Sequence, residues 1–302
     1  MTVLFTFPGQ GAQRSGMLHG LPDSAALLAE SAAVLGQDPL QLDTEAALQS
    51  TRAVQLCLLI SGVAYARQLM QHGARPSMVA GFSIGEYAAA VIAGVIDFAD
   101  AVRLVARRGE LMEKAYPSGY GMAVVLGLDA QQLAPLVAQV HSAAEPVYIA
   151  NINAAREIVV SGSDAGLAAV MTLARTHGAS CAKRLAVAVP SHCPLFGDAA
   201  LQMQQAFDTV PLHRPRCTYL SSSAARALFD PLRIAASLAA NMANQVQWAV
   251  TMRLAWERGA RLALEMPPGA VLTKLTAPLL EDGLAVSCDS TRLDTVLALA
   301  SR

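Results

Sequence analysis

A chain of 302 residues, 54% of them hydrophobic and 15% charged, can build one large domain or two smaller ones with well-buried cores, and is far from a disordered composition. Its formal net charge of −1 argues against nucleic acid or an anionic membrane surface as the main partner, and its five cysteines (57, 181, 193, 217 and 288) form no Cys-x-x-Cys pair, which fits reduced thiols rather than disulfides or a metal centre. The longest apolar runs, 54–63 and 88–96, are broken by Gln, Ser or Gly and fall short of the roughly 20 residues of a membrane span, and no basic-then-apolar leader opens the chain, so a cytoplasmic protein is expected.

The chain begins with a β-rich run, Val3 to Phe7, and passes into Pro8-Gly9-Gln10-Gly11-Ala12-Gln13. This loop lacks the Lys-Ser/Thr ending of a P-loop and the glycine spacing of a dinucleotide fingerprint. Backbone flanked by Gly9 and Gly11 can approach a reacting carbonyl closely, which makes the Gln10 N–H a candidate oxyanion donor. Residues 24–35 and 53–72 read as helices, the second strongly apolar, and Gly73 to Pro76 closes it.

Val79-Ala80-Gly81-Phe82-Ser83-Ile84-Gly85 then reads as a nucleophile elbow, a serine on the tight turn between a strand and a helix. Ser83 Oγ should stand exposed there, with the Ile84 N–H at the helix start as a second oxyanion donor. In the helix from Phe98 to Lys114, Asp100, Arg103, Arg107, Glu110 and Lys114 follow a polar face, whereas Arg108 falls in the apolar stripe. A guanidinium there is costly unless paired, so it either holds a structural carboxylate or awaits an anionic ligand.

From Tyr120 the rhythm changes. A strand at 120–126, a helix near 129–142, strands at 146–152 and 157–161, a helix at 164–177 and a strand at 180–187 give the order βαββαβ of a ferredoxin-like unit. Asn151 and Asn153 end one strand, where they either face a cleft and meet substrate or serve a loop turn. A strand-like run, Ala186 to Val189, then leads to His192, the best available base for Ser83 among six histidines.

Pro8-Gly9-Gln10-Gly11, Gly81-x-Ser83-x-Gly85-Glu86-Tyr87, Val102 to Gly109 with Arg108, Val189-Pro190-Ser191-His192-Cys193 and Asn244-Gln245-Val246-Gln247-Trp248 together resemble the malonyl-CoA:acyl-carrier-protein transacylases over nearly the whole chain. The resemblance implies an α/β fold: an α/β-hydrolase-like large domain with a mostly parallel sheet, residues 1–119 and 190–302, and an inserted ferredoxin-like small domain, residues 120–189. It implies Ser83 as nucleophile, His192 as base, the N–H groups of Gln10 and Ile84 as oxyanion hole, the Asn241 main-chain carbonyl as the group orienting the histidine, and Arg108 as the grip on a malonyl carboxylate. It also implies no permanently bound cofactor, a coenzyme A thioester as substrate, and a carrier-protein prosthetic thiol as acceptor.

Four features depart from the family pattern: Asn241 in place of glutamine, Phe82 in place of histidine, Glu265-Met266-Pro267-Pro268-Gly269, and a compact stretch between Gln13 and Thr51. With the Tyr219 to Ser223 and Val286 to Ser290 segments, the last three resemble the epsilon subunit of biotin-independent malonate decarboxylase, which loads that complex's own carrier protein. The alternative is a malonyl transferase of fatty-acid or polyketide synthesis. A serine hydrolase or thioesterase fits less well, because no HGGG-type motif precedes the serine, and a patatin-like dyad would have to draw on Asp282-Gly283.

Overall fold

The computed structural model describes residues 2–22 and 24–301. Strand β1 (Thr2–Phe7) is followed by helices α1 (Ala25–Leu35) and α2 (Thr51–Gln71), strand β2 (Met78–Gly81), and helices α3 (Gly85–Ile92) and α4 (Phe98–Ala115). Next come β3 (Tyr120–Leu126), α5 (Ala130–Val140), β4 (Val147–Ala154), β5 (Glu157–Ser163), α6 (Asp164–Thr176) and β6 (Cys181–Arg184). The chain ends with α7 (Gly197–Phe207), β7 (Thr218–Ser221), β8 (Arg226–Leu228), α8 (Pro231–Ala240), α9 (Trp248–Glu257), β9 (Ala260–Glu265), α10 (Val271–Thr276), β10 (Leu284–Ser287) and α11 (Leu293–Ala300).

The larger sheet has the order β10-β9-β1-β2-β7-β8 and is parallel except for the β7–β8 pair. Its central strands read as unbroken apolar runs because helices cover both faces, so successive side chains on either side are buried. In β1, Val3, Phe5 and Phe7 join the core built on α2, α3 and α4, while Leu4 packs on the opposite face with Trp248 and Met252 of α9. Helix α2 is long and apolar enough to cross a membrane, which the separate apolar runs were expected not to be, yet most of it is buried inside the fold. Its apolarity therefore belongs to the core.

The smaller sheet is antiparallel, with strand order β4-β5-β3-β6. Period-two alternation divides its side chains. Ala123, Val125, Ile158 and Val160 pack under α5 and α6, whereas Met122, Val124 and Val159 face the other way and line a cavity. Two backbone bonds fasten this sheet to the larger unit: Ile152 donates to the Val246 carbonyl at 2.8 Å, and Val246 donates to the Ala150 carbonyl at 2.9 Å.

Three local expectations are corrected. The strand expected over 180–187 stops at Arg184, and the run before His192 is irregular rather than a strand, although Leu185 still donates to the Met122 carbonyl at 2.9 Å. Apolar composition alone does not make a strand where no neighbouring edge continues the ladder. Asp100, expected on the solvent face of α4, is buried and accepts a bond from Arg103.

Candidate active site

The serine sits where β2 meets α3, and the backbone there leaves no freedom in two of the five elbow positions. A Cβ at Gly81 would lie 2.0 Å from the Glu86 nitrogen, and one at Gly85 would lie 2.1 Å from the Phe7 carbonyl oxygen. Only glycine fits either position. Ser83 itself adopts φ 55°, a left-handed conformation that side-chain-bearing residues rarely take and that persists only when its surroundings impose it. Phe82 N–H on the Phe7 carbonyl (2.9 Å) and Glu86 N–H on the Ser83 carbonyl (3.0 Å) do so.

His192 approaches from the irregular segment after the small sheet and also has positive φ, 64°. Its Nε2 lies 2.7 Å from Ser83 Oγ, while Nδ1 lies 3.0 Å from the Asn241 carbonyl and 3.1 Å from the Asn244 carbonyl. Carbonyls only accept, so Nδ1 carries the hydrogen and Nε2 is left as the acceptor for the Ser83 hydroxyl. Burial, followed by the positive charge of Arg108, pushes the imidazole down to about 4, against the two carbonyl bonds. The ring is thus neutral, and able to take a proton, at neutral pH.

Arg108 is completely buried. Its Nη2 donates to Asn241 Oδ1 at 3.0 Å and, at the long limit of a hydrogen bond, to Ser83 Oγ at 3.4 Å. Nε and Nη1 have no partner among the described residues, and no carboxylate there lies within ion-pair distance. Of the two sequence alternatives for this arginine, the structural ion pair is therefore not found. Burial lowers its pKa, opposed by Tyr87 and Glu86. A buried cation whose N–H groups have no partner among the described residues can take an anion that reaches it.

Glu86, the first acidic residue of α3, is also fully buried and accepts from Ser222 N (2.7 Å), Ser222 Oγ (2.6 Å), Ser223 N (3.2 Å) and Tyr219 Oη (3.2 Å). Burial raises its pKa and these bonds oppose the rise. The Tyr219 to Ser223 segment thus anchors the elbow helix to the end of β7. Glu265 has a comparable task, capping the start of α10 through Leu272 N (3.0 Å) and Thr273 N (2.6 Å). Asp289 joins the N-terminal loop to this region by accepting from Arg14 (2.6 and 2.7 Å) and from Gly269 N (2.8 Å).

A cavity of about 360 Å³ lies between the two sheets, and the fully buried Arg108, Asn241 and Ile84 stand behind its wall rather than among the residues that line it. Ser83, His192 and Gln10 line it from the large-sheet side, and Asn151 and Asn153 from β4. The Asn153 amide donates to Glu157 at 3.0 Å, and the Oδ1 atoms of both asparagines have no partner among the described residues. The backbone N–H groups of Gln10 and Ile84 make no hydrogen bond to another described residue, so both are free to meet an oxyanion. Asp282 lies on an exposed turn and is not among the cavity residues, and Arg184 is engaged by Asp164 at 2.5 Å. Among the described residues no cluster of His, Cys, Asp or Glu could hold a metal.

Sequence reasoning missed two features. The Asn241 side chain, and not only its carbonyl, belongs to the site. Gln55, buried in α2, lines the cavity with Oε1 unpaired among the described residues and Nε2 3.3 Å from Met112 sulfur. Gln55 could have been found by the signal that exposed Arg108, a polar residue within an apolar helical stripe.

Residues 4–287 match the family described as acyl transferase domain. The chain is 34% identical over 286 residues to the malonyl CoA-acyl carrier protein transacylase of Escherichia coli (strain K12), covering 92% of each. It is 30% identical to the polyketide biosynthesis protein PksE of Bacillus subtilis (strain 168), over 90% of this chain and 36% of that protein. Among solved structures, the malonyl CoA-acyl carrier protein transacylase from Coxiella burnetii superposes with a TM-score of 0.93 at 29% identity, covering 100% of this chain and 98% of that one. A malonyl-transacylase in complex with its type II PKS acyl-carrier protein matches with a TM-score of 0.93 at 33% identity, over 99% of this chain and 100% of that one.

Proposed function

This chain belongs to the acyl transferase domain family and is an acyltransferase, and on that premise we propose that it moves a malonyl group from malonyl-CoA to the prosthetic thiol of an acyl carrier protein through a malonyl-serine. The observation that carries the malonyl assignment is Arg108, whose unpaired Nε and Nη1 lie in a fully buried guanidinium within reach of Ser83. A planar guanidinium holds a carboxylate by two parallel bonds, and burial strengthens the pairing.

In the first half-reaction His192 Nε2 takes the Ser83 proton as Oγ bonds to the thioester carbon. The N–H groups of Gln10 and Ile84 hold the negative oxygen of the tetrahedral intermediate. The carbon–sulfur bond then breaks, and the proton on His192 goes to the departing coenzyme A sulfur. In the second half-reaction a carrier thiol gives its proton to His192 and its sulfur attacks the malonyl ester; the bond to Oγ then breaks, and Ser83 takes the proton back from His192 Nε2 as it is released. Two backbone carbonyls rather than a carboxylate hold Nδ1, which suffices to keep the tautomer these steps require.

The relatives are named for carrier-protein transacylation and polyketide biosynthesis, which supports a role in fatty-acid or polyketide synthesis over the malonate decarboxylase reading. The segments that suggested a decarboxylase subunit also have local tasks, Tyr219 to Ser223 on Glu86 and Asp289 on Arg14. Labelled malonyl-CoA, offered with a fatty-acid or polyketide carrier and a malonate decarboxylase carrier at equal concentration, tests the assignment. Faster loading of the former is expected. Faster loading of the latter restores the decarboxylase role, and release of free malonate without loading of either overturns the transferase reading.

A further inference from the structure

Asn241 stands at the junction of the three groups that perform the proposed chemistry. It is fully buried, at the turn following α8. Its carbonyl accepts from His192 Nδ1 at 3.0 Å, its Oδ1 accepts from Arg108 Nη2 at 3.0 Å, and its Nδ2 points to the Ser83 carbonyl at 3.5 Å. The orientation of this amide is dictated by its surroundings. A guanidinium only donates and a carbonyl only accepts, so just one of the two amide orientations satisfies both.

We propose that the Asn241 carboxamide is a positioning residue for acyl-group selectivity: it holds one corner of the Arg108 guanidinium with a neutral oxygen and thereby leaves the rest of that cation for the substrate carboxylate. The inference rests on the malonyl reading above. A buried arginine with no anchor would swing among conformers or draw a carboxylate from the protein. A carboxylate anchor at the same place would fix it equally well but cancel its charge, and an incoming malonyl group would then have to displace an existing ion pair. The neutral amide fixes the cation without neutralising it. Nη2 carries two hydrogens, of which Asn241 takes one, while Nε and Nη1 have no partner among the described residues. A bidentate carboxylate contact needs two parallel N–H groups, which a guanidinium offers on the edges Nη2 shares with Nε and with Nη1, so the second Nη2 hydrogen and one of the two free donors supply it.

The test is selectivity, measured as the rate of acyl-enzyme formation from malonyl-CoA and from acetyl-CoA by quenched intact-mass spectrometry on the full-length protein. Asn241→Asp changes the anchor from neutral to charged at nearly constant shape. It should lower malonyl acylation efficiency by about a hundredfold, through KM more than through kcat, while acetyl acylation falls by less than about tenfold. Asn241→Gln, which keeps the carboxamide, should recover most of the malonyl preference. In an Arg108→Ala background the Asp substitution should change the malonyl-to-acetyl ratio by less than about twofold, because the effect passes through that arginine.

Should the Asp variant not fold, Asn241→Leu, similar in volume and without an acceptor, carries the same expectation of a reduced ratio. An unchanged ratio in a folded Asp or Leu variant, with the wild type preferring malonyl, overturns the positioning role. A wild type with no preference for malonyl overturns the underlying reading instead.

Discussion

Arg108 and His192 are neighbours whose charges work against each other, and this coupling gives the site its most specific chemical signature. His192 is pushed down to about 4, first by burial and then by the Arg108 charge. In the free enzyme the acid limb of kcat/KM should accordingly fall near pH 4 rather than near the ordinary histidine value of about 6.5. Arg108→Ala removes one of the two causes and should move that limb upward, a shift that a pH–rate profile with an uncharged acyl donor would reveal. The same substitution should cost malonyl transfer roughly 2–4 kcal/mol of transition-state binding and acetyl transfer far less. Stability follows the depressed pKa: the contribution of neutral His192 is complete above the unfolded value and is lost as pH falls from about 6.5 toward about 4. His192→Asn should flatten that acid-side slope in denaturant titrations at several pH values.

At the scale of elements, the elbow explains why a five-residue pattern can be read from sequence. Gly81 and Gly85 meet backbone atoms at 2.0 and 2.1 Å when given a Cβ, and backbone cannot rotate away as a side chain can. Gly81→Ala or Gly85→Ala should therefore destabilise the fold by about 3 kcal/mol or more, or abolish soluble expression. Glu86→Ala should cost a comparable amount by leaving Ser222 N, Ser223 N and the Tyr219 hydroxyl without their acceptor. Both effects are measurable by denaturant unfolding.

Helix α4 was legible for a related reason. An arginine within an apolar stripe is rare enough to single out Arg108, and a 3.6-residue period placed it correctly on the buried face. The segment from Ala186 to His192 was not legible as irregular chain, because its apolar side chains suit either a strand or a covered loop. The choice is made by a sheet edge that ends at Arg184. The acceptors of His192 and the side-chain role of Asn241 depend on a turn after α8 that no periodic pattern announces.

Across the whole molecule, the cavity owes its existence to the way the two sheets are tied. The element order βαββαβ announced a small ferredoxin-like unit, yet nothing in that order says which face meets the large sheet. The answer lies in the backbone pairing of β4 with Val246, which turns Met122, Val124 and Val159 toward Ser83. Gln245 adds a bond to the Ile149 carbonyl at 3.1 Å across the same seam. Val246→Pro removes the donor of one of the two backbone bonds and should loosen the seam, raising KM for the carrier and for coenzyme A thioesters together. An intact-mass and peptide-mapping experiment on protein mixed with malonyl-CoA and quenched in acid detects the malonyl-serine itself. A mass gain of one malonyl group, mapped to Ser83, absent from Ser83→Ala and slowed by several orders of magnitude in His192→Ala, is the predicted result. A malonyl adduct that survives in Ser83→Ala, or that maps to another residue, would contradict it.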